Sequence, residues 1–493
     1  MNIFRINDKD NVAIALCDLN EGDIVDFLGE KIEIKEPVKK GHKIALCEIK
    51  KGEDVIKYGY PIGILKEDIK KGCHIHSHNL KTKLCGTLEY EFKKKSCGNI
   101  YEFRDLKFKG YIRKDGNAGI RQDLFIVPLV GCVNGVADKI KEKFLTMSDF
   151  KLDDIKVLKH PYGCSQLGDD LMYTQKILSS IVKHPNAAGV LVLGLGCENN
   201  TMDSFKKVLG EFDDERVKFL VCQDVLNEVD EGAKILEQLY EKALKDERVE
   251  VPAEKLKIGM KCGGSDAFSG ITANPLVGRI SDFIVAQGGT SILSEVPEMF
   301  GAENILMQRA KDEKVFNKIV EMINGFKEYF ISYNQPVYEN PSPGNKEGGI
   351  TTLEEKSLGN VQKGGNSEVV DVLRYGERAV ESGLNLLFAP GNDLVSSTAL
   401  AAAGCQIVLF TTGRGTPYGT LVPTVKISTN SELFNKKSNW IDFNAGDLLE
   451  GKTLEDKTKE LIDFIFDVAN GKKTNNEKNG FSEIAIFKNG VTL

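Results

Sequence analysis

The sequence predicts a small all-β domain followed by a larger α/β body with mostly parallel sheets. Residues 1–92 hold short alternating apolar segments separated by glycine turns, which is typical of hairpins. From residue 110 onward, continuous apolar runs end in polar loops, and amphipathic helical stretches lie between the runs. The chain has 493 residues, which is too long for one core, so several domains are expected.

The predicted β domain repeats one turn pattern. A polar residue, a variable residue and a glycine precede a strand in four phrases: LNEGDIV, VKKGHKI, IKKGEDVI and IKKGCHI. The predicted strand segments are NVAIALCDL, KIEIKE, KIALCEI and PIGILKEDI. This repetition predicts a compact module of hairpins over residues 1–92. The lysine-rich stretch 93–109 is weakly patterned and is predicted to be a linker.

Four apolar runs in the body are typical of buried parallel strands, whose carboxyl ends usually carry the functional loops. The runs are AGVLVLGLGCENN (188–200), RVKFLVCQDV (216–225), LNLLFAPGND (384–393) and CQIVLFTTGRGT (405–416). A charged stretch with Pro252 interrupts the pattern. We therefore expect the body to divide into residues 110–250 and 251–493.

Composition narrows the class of protein. The net charge is −7, and 65 basic and 72 acidic residues are spread along the chain, so no nucleic-acid or anionic-membrane partner is expected. The sequence has no run of 18 apolar residues and no secretory leader, and no membrane span is expected. Eleven cysteines without a CxxC pair argue against a disulfide framework. These observations predict a cytoplasmic protein.

Three of the six histidines lie in one short stretch, CHIHSHNL (73–80). In an extended segment alternate residues share a face, so His74, His76 and His78 are expected to point the same way. Imidazole nitrogens suit Fe, Zn and Mn ions, and the pattern therefore favours a metal or substrate site. A polar strand edge with solvated histidines is the alternative.

Several loops are richer in polar groups and glycine than turns require. They are HPYGCSQLGDD, GLGCENN, KCGGSDAFSGITANP, SEVPEMFGAE, NPSPGNKEGGITTLEEKSLG, APGND and TTGRGTPYG. Their carboxylates, amides, hydroxyls, thiols and single arginine suit a metal and a small anionic substrate with many hydroxyls, such as a sugar acid. GLGCENN lacks the GxGxxG spacing, and the P-loop, zincin and GxSxG patterns do not occur in the sequence.

Long phrases in a fixed order carry a resemblance along essentially the whole chain. They include GHKIAL, VIKYGYPIG, HIHSHN, YGCSQLGDD, GGSDAFSGITANP, YENPSPGNKEGGITTLEEKSLG and TTGRGTPYG. On these phrases the chain resembles the altronate/galactarate dehydratase family. The length, together with VIKYGYPIG and the YENPSPGNKEGG phrase, favours the altronate branch.

The resemblance implies a metal-dependent hydro-lyase that converts D-altronate to 2-dehydro-3-deoxy-D-gluconate in galacturonate catabolism. It also implies Fe²⁺ as cofactor, with Mn²⁺ as a substitute, and an N-terminal SAF-like β-clip domain. The alternatives are a dehydratase for galactarate or another sugar acid, and a non-catalytic sugar-acid-binding protein. The histidine module is expected to cover the loops of the body, either within one chain or across a homodimer.

Candidate site residues follow from the loops and the histidine stretch. The candidate metal ligands are His74, His76, Cys164, Cys197 and Cys262, since thiolates and imidazoles complete an Fe²⁺ shell. The candidate catalytic groups are His76, His78, Asp169 and Glu198, with Asp170, Glu295 and Glu298 as further acids or bases. The candidate substrate-binding residues are Arg414, Ser265, Asp266, Asn345 and Lys356.

Each candidate has a structural alternative. A cysteine in a glycine turn is often simply buried, and an aspartate or glutamate in a loop often caps a turn. Arg414, between two glycines, suits a bidentate clamp on a substrate carboxylate, but a salt bridge between loops would use the same group. A nucleophilic role for Cys164, four residues from His160, is a further alternative.

Overall fold

The structure, a computed structural model, describes residues 2–492, and it confirms the predicted small β domain and α/β body. The N-terminal domain consists of nine short strands. They are β1 (Ile3–Phe4), β2 (Val12–Ala15), β3 (Ile24–Phe27), β4 (Glu30–Glu33), β5 (Lys43–Ala45), β6 (Asp54–Lys57), β7 (Tyr60–Leu65), β8 (His74–Ile75) and β9 (Leu80–Lys81). They form an antiparallel sheet in the order β1-β2-β5-β8, a β3–β4 hairpin and a β6-β7-β9 sheet.

The four repeated phrases form the same left-handed turn. Gly22, Gly41, Gly52 and Gly72 have φ angles of 85°, 87°, 85° and 84°. Glycine adopts this conformation without a steric cost, whereas other residues rarely do. At Gly72 a Cβ atom would also lie 2.0 Å from the carbonyl oxygen of Glu33. The repeated glycines therefore set the directions of the strands that follow them.

The middle domain has a four-stranded parallel sheet with helices, in the strand order β13-β12-β14-β15, and a three-stranded antiparallel sheet, β11-β10-β16. Its strands are β10 (Lys107–Ile112), β11 (Ala118–Gly119), β12 (Asp123–Pro128), β13 (Asp154–Val157), β14 (Ala187–Gly194), β15 (Val217–Val221) and β16 (Val249–Pro252). Its helices are α1 (Asn134–Met147), α2 (Gly168–Val182), α3 (Met202–Leu209) and α4 (Glu228–Ala243). Because β10 pairs with β16, the chain leaves this domain beside the point where it enters.

The C-terminal domain is a seven-stranded parallel sheet with helices, in the strand order β19-β20-β18-β17-β21-β22-β23. Its strands are β17 (Lys257–Cys262), β18 (Thr290–Leu293), β19 (Val369–Leu373), β20 (Gly383–Leu387), β21 (Ile407–Thr412), β22 (Thr424–Ser428) and β23 (Phe443–Asn444). Its helices are α5 (Ala273–Ala286), α6 (Glu303–Met307), α7 (Glu313–Ser332), α8 (Pro343–Glu347), α9 (Leu353–Asn360), α10 (Asp393–Ala402), α11 (Ser431–Lys436), α12 (Leu454–Ala469) and α13 (Asn475–Lys478). Within residues 2–492 no helix is both long enough and apolar enough to cross a bilayer.

Short 3₁₀ helices occupy several of the connecting loops. They are Gly131–Val133, Cys222–Asp224, Ala253–Lys255, Val296–Met299, Val361–Gly364 and Gly446–Leu449.

Residues 82–106 form an extended strap along the C-terminal domain. This differs from the predicted boundaries, which placed 82–92 in the β domain and 93–109 in a linker. Tyr90 donates a hydrogen bond to Glu303 at 2.6 Å, and the Asn99 amide donates to the carbonyl of Asp282 at 2.7 Å. Tyr90 also packs against the main hydrophobic core. The stretch does have the composition of a linker. Its side chains are nevertheless held in place by contacts with residues that are distant in the sequence.

The N-terminal and C-terminal domains share one hydrophobic core, which includes Val12 and Ile62 together with Leu353 and Leu358. A buried ion group crosses the same interface. Lys43 and Lys57 contact the Glu355 carboxylate of α9 at 2.9 and 2.6 Å, and all three side chains are at most 1% exposed.

Glu355 is held in place by both domains. The backbone amide and hydroxyl of Thr351 donate to its second oxygen at 2.8 and 2.6 Å, and the Lys43 ammonium also donates to the carbonyl of Gly349. Burial alone would raise the pKa of Glu355, but Lys43 and Lys57 lower it well below its ordinary value. Glu355 is therefore an ionised anchor for the N-terminal domain.

We expect Glu355→Gln to destabilise the protein by about 3–5 kcal/mol, because it leaves two buried ammonium groups without a counter-charge. The midpoint of urea unfolding measures this loss. The matched control is Glu368→Gln, whose partner Lys94 is 43% exposed, and which should cost about 0–1 kcal/mol. Equal losses for the two variants would contradict the anchoring role of Glu355.

Candidate active site

Ion pairs join the strand ends at the carboxyl edge of the C-terminal sheet. Lys261 of β17 contacts Glu295, which follows β18, at 2.6 Å, and Asp393, which follows β20, at 2.8 Å. Lys363 contacts Glu295 at 3.1 Å. Burial alone would raise the pKa of Glu295, but the two lysines lower it to about 2. Glu295, predicted as an acid or base, is thus an ionised carboxylate that fixes three loops.

A second group at this edge combines a thiol, a carboxylate and an ammonium. The Cys262 thiol donates to Glu298 at 3.1 Å, and Lys356 contacts the other oxygen of Glu298 at 2.8 Å. Burial and nearby carboxylates raise the pKa of Cys262 to about 12. Burial alone would lower the pKa of Lys356, but Glu298 raises it above its ordinary value. At neutral pH the thiol is therefore protonated and the lysine is charged.

The donor atoms of Cys262, Glu295 and Glu298 lie within 4.8 Å of one another, close enough to hold an ion. Their charge does not suit one. Both carboxylates are already paired with buried ammonium groups, and the thiol is protonated. A further divalent cation would have no negative charge left to neutralise it. The ion pairs of Glu295 and Glu298 weigh against a metal here, and Cys262 as a metal ligand stays a prediction.

A small enclosed cavity lies beside this group and brings together several predicted substrate-binding residues. Ser265, Asp266 and Lys356 line it, with Asn360 and with Lys57 of the N-terminal domain. Two lysine ammonium groups, the Asp266 carboxylate and hydrogen-bonding groups therefore face one polar space between two domains.

Two predicted substrate-binding residues have structural partners. Asp266 accepts hydrogen bonds from Ser269 and Thr429, and burial raises its pKa. Asn345 belongs to the capping box of α8, and its amide donates to the carbonyl of Ser265 at 2.8 Å. Its side-chain oxygen also lies 3.3 Å from the Lys356 ammonium. Asp266 and Asn345 thus shape the cavity by fixing the loops around it.

The predicted histidines come together, although the strand ends early. β8 stops at Ile75, and a turn follows in which the Asn79 side chain accepts from the His76 amide and donates to the carbonyl of His74. The ring centroids of His74 and His76 lie 5.5 Å apart, and those of His74 and His78 lie 5.4 Å apart. The turn, and not strand alternation, groups the three imidazoles.

A fourth histidine, His42, completes the cluster and was not predicted. Its Nδ1 lies 3.0 Å from His74 Nε2, because β5 pairs with β8 and Ile44 stands opposite His74. The signal was present in the repeat, since KKGHKI and KKGCHI both place a histidine close after the turn glycine. Only the strand pairing shows that the two phrases are neighbours.

Burial keeps His42, His74 and His76 uncharged at neutral pH. Burial and the neighbouring imidazoles lower the pKa of His74 to about 3. Burial lowers the pKa of His76 to about 4, and it also lowers the pKa of His42 below its ordinary value. Neutral imidazoles have free lone pairs for a metal ion.

One set of donors in the cluster fits a divalent ion. Donor atoms of Glu36, His74 and His78 lie within 4.8 Å of one another, and the backbone amide of His74 orients Glu36 at 3.0 Å. Two imidazoles and a carboxylate form a donor set suited to Fe²⁺ or Mn²⁺. Glu36 was missed by the sequence analysis, because single acidic residues near a turn are common.

The cluster contacts the C-terminal domain through α8. His42 Nε2 lies 3.1 Å from the carbonyl of Glu347, and His76 Nε2 lies 2.9 Å from the carbonyl of Lys346, so each ring donates there. The other nitrogen of His76, Nδ1, faces the Ser77 hydroxyl at 3.0 Å. The small domain therefore covers the body within one chain.

Arg414, which follows β21, also contacts α8. Its guanidinium contacts Glu347 at 3.2 Å and the carbonyl of Gly344 at 3.4 Å, and its side chain is 47% exposed. An exposed ion pair of this kind is weak. A substrate carboxylate could therefore replace Glu347 as the partner of Arg414.

The other predicted residues lie in the middle domain. Cys164 and Cys197 are exposed in loops after β13 and β14, and Asp169 is exposed in the first turn of α2. Glu198 accepts from the amides of Leu195 and Gly196 at 2.9 and 2.6 Å. Within residues 2–492, no hydrogen bond or ion pair connects these four side chains to the histidine cluster.

Asp170, the remaining predicted acid or base, ties down the C-terminal tail. It accepts hydrogen bonds from the amides of Asn489 and Gly490 at 2.6 and 2.9 Å, and it is 1% exposed. Its contacts are those of a buried structural carboxylate.

Three family models match consecutive parts of the chain. The altronate/galactarate dehydratase SAF domain matches residues 1–83. The second domain of D-galactarate dehydratase/altronate hydrolase matches residues 110–244, and the C-terminal domain of D-galactarate/altronate dehydratase matches residues 253–492.

Full-length relatives agree with these matches. The chain is 55% identical to altronate dehydratase of Bacillus subtilis (strain 168) and 53% identical to altronate dehydratase of Escherichia coli (strain K12), over 100% of each chain. It is 35% identical to galactarate dehydratase (L-threo-forming) of E. coli, over 98% of this chain and 96% of the relative. The resemblance seen in the sequence is confirmed, and the chain belongs to the altronate/galactarate dehydratase family.

Proposed function

We propose that this chain is a hydro-lyase that removes water from D-altronate and forms 2-dehydro-3-deoxy-D-gluconate. The observation that carries the proposal is the full-length identity to two altronate dehydratases, which exceeds the identity to the galactarate enzyme. The polar side chains that meet between the two domains, Lys356 among them, are of the kind that bind a small hydroxylated acid.

The proposed metal site consists of Glu36, His74 and His78. Their proximity and the neutral state of the buried imidazole support Fe²⁺, with Mn²⁺ as a substitute. When bound there, the ion would act as a Lewis acid toward the carboxylate and C2 hydroxyl of the substrate.

The reaction removes a proton from C2 and a hydroxyl from C3. The C2 proton is weakly acidic, because the adjacent carboxylate is already negative, and positive charge near the substrate lowers this barrier. We assign carboxylate binding to Arg414, whose exposed guanidinium has a weak partner in Glu347.

The proton transfers are assigned to two further residues. His76 is uncharged at neutral pH and accepts the C2 proton at Nδ1, which faces the Ser77 hydroxyl. Lys356 is charged and gives a proton to the departing C3 hydroxyl, so that water leaves and the C2–C3 double bond forms. The enol then tautomerises to the 2-keto acid. α8 connects the two groups, since His76 contacts Lys346 and Lys356 lies near Asn345.

The cysteines support a reducing compartment, and we place the enzyme in the cytoplasm. All eleven are free, and six of them are exposed. Exposed free thiols persist where cellular reductants keep them reduced.

The activity test is 2-keto acid formation from D-altronate by chelator-stripped protein, with and without added Fe²⁺ or Mn²⁺, beside galactarate. We expect metal-dependent turnover of altronate and little turnover of galactarate. Turnover of galactarate alone would overturn the substrate assignment, and turnover without metal would overturn the cofactor.

The metal ligands are tested by Glu36→Gln and His78→Ala, which each remove one donor. We expect both variants to lose bound Fe²⁺ or Mn²⁺ after dialysis, measured by elemental analysis of the protein, and to lose activity with it. The control is Glu33→Gln, an exposed glutamate in β4 of the same domain. Unchanged metal content in both ligand variants would refute the site.

The proton-transfer roles are tested by Lys356→Met and His76→Gln. We expect turnover to fall about 10²–10⁴-fold in each, since a positioned acid or base contributes that much. Metal content should stay at the level of the unaltered protein, which separates these residues from the ligands. Lys314→Met, exposed on α7, is the control. Near-normal turnover of either variant would remove that residue from the mechanism.

A further inference from the structure

Three cysteines follow three neighbouring strands of the middle sheet. Cys132 comes four residues after the end of β12, Cys164 comes seven after β13, and Cys197 comes three after β14. All strands of this sheet are parallel, so their carboxyl ends meet at one edge. The order β13-β12-β14 makes the three cysteine loops adjacent.

Hydrogen bonds tie the three loops together. The amide of Gly131 donates to the carbonyl of Tyr162 at 2.8 Å, and the amide of Asn200 donates to the carbonyl of Gly163 at 2.9 Å. The Ser165 amide also donates to the Asn199 side chain at 2.7 Å. Each of these hydrogen bonds lies within three residues of one of the cysteines. The backbone segments that carry the three cysteines are therefore fixed relative to one another.

The turn that carries Cys164 has little freedom. Gly163 has a φ angle of 100°, and a Cβ there would lie 2.0 Å from the carbonyl oxygen of Leu129 in the β12 loop. Ser165 has a φ angle of 54°, which is unusual for a residue with a side chain. Such a conformation persists where the surroundings impose it, often at a ligand site.

The exposure of the thiols is unusual for free cysteines, which are among the most buried residues. Cys132, Cys164 and Cys197 are all exposed, as are Cys17, Cys47 and Cys85 outside the middle domain, whereas Cys262 and Cys405 are buried as expected. Exposed thiols are readily oxidised, and a ligand at this edge would protect them. The proposed dehydration leaves all three exposed cysteines without a role.

The spacing argues against a single ion. Within residues 2–492, two sets of donor groups are close enough to hold one ion: Glu36, His74 and His78, and the Cys262 set. Cys132, Cys164 and Cys197 belong to neither set. A cluster of several irons and sulfides is held by thiolates that lie farther apart than the ligands of one ion.

We propose that Cys132, Cys164 and Cys197 hold an iron–sulfur cluster at the carboxyl edge of the middle sheet. Three thiolates bind three irons of a four-iron cluster and leave one iron for another ligand. Cys222 follows β15 at the same edge, but burial and the carboxylates of Glu228 and Glu198 raise its thiol pKa to about 11, and it is not assigned as a ligand.

The test uses the full-length protein purified without oxygen and supplied with iron and sulfide. We expect about four acid-labile sulfides per chain, with the broad visible absorption of an iron–sulfur cluster. Cys132→Ser, Cys164→Ser and Cys197→Ser should each lose most of the sulfide, while Cys17→Ser and Cys222→Ser keep it. Iron bound without sulfide, or full sulfide in the triple variant, would overturn the proposal.

Two controls keep the outcome clear. Alanine variants at the same positions, with circular dichroism and the thermal unfolding midpoint, separate loss of a ligand from loss of the fold. His78→Ala should keep its sulfide even where it loses the separate metal ion. Because sulfide content is measured without turnover, failure of the cluster and failure of the proposed dehydration are distinguishable.

Discussion

The arrangement of the site depends on two buried ion pairs. They join the Glu355 carboxylate to the ammonium groups of Lys43 and Lys57. The two ammonium groups can be buried at this interface because they share the Glu355 carboxylate, and the carbonyl of Gly349 also accepts a hydrogen bond from Lys43. This fixes the N-terminal domain against α9. The next residue along, Lys356, thereby acquires its place at the cavity wall.

Charge pairs hold the polar loops around the cavity. Lys261 and Lys363 are paired with Glu295 and Asp393 at the strand ends, and Lys356 is paired with Glu298. A site built from paired charges can present an ammonium group to an anion without reorganising when substrate binds. The same pairing occupies the carboxylates of Glu295 and Glu298 beside Cys262.

Local patterns in the sequence predicted the class of each domain and the histidine stretch, because alternation, apolar runs and glycine turns are local signals. They did not predict His42 or Glu36, which join the cluster through strand pairing and a turn. The sequence also did not predict which candidate residues lie close together in the folded protein. Cys164 and Cys197 lie on a different sheet from Cys262, and the sequence carries no signal for which strand ends face which domain.

The shared core has a consequence for the order of folding. The N-terminal domain leaves the ribosome first, yet Glu355 and the apolar face of α9 that complete its interface are made some 300 residues later. Until then Lys43 and Lys57 have no buried counter-charge, and the newly made β domain must keep them in water. Its final docking is a late, long-range event of the kind that slows folding. The middle domain, entered and left through the paired strands β10 and β16, can fold during this delay.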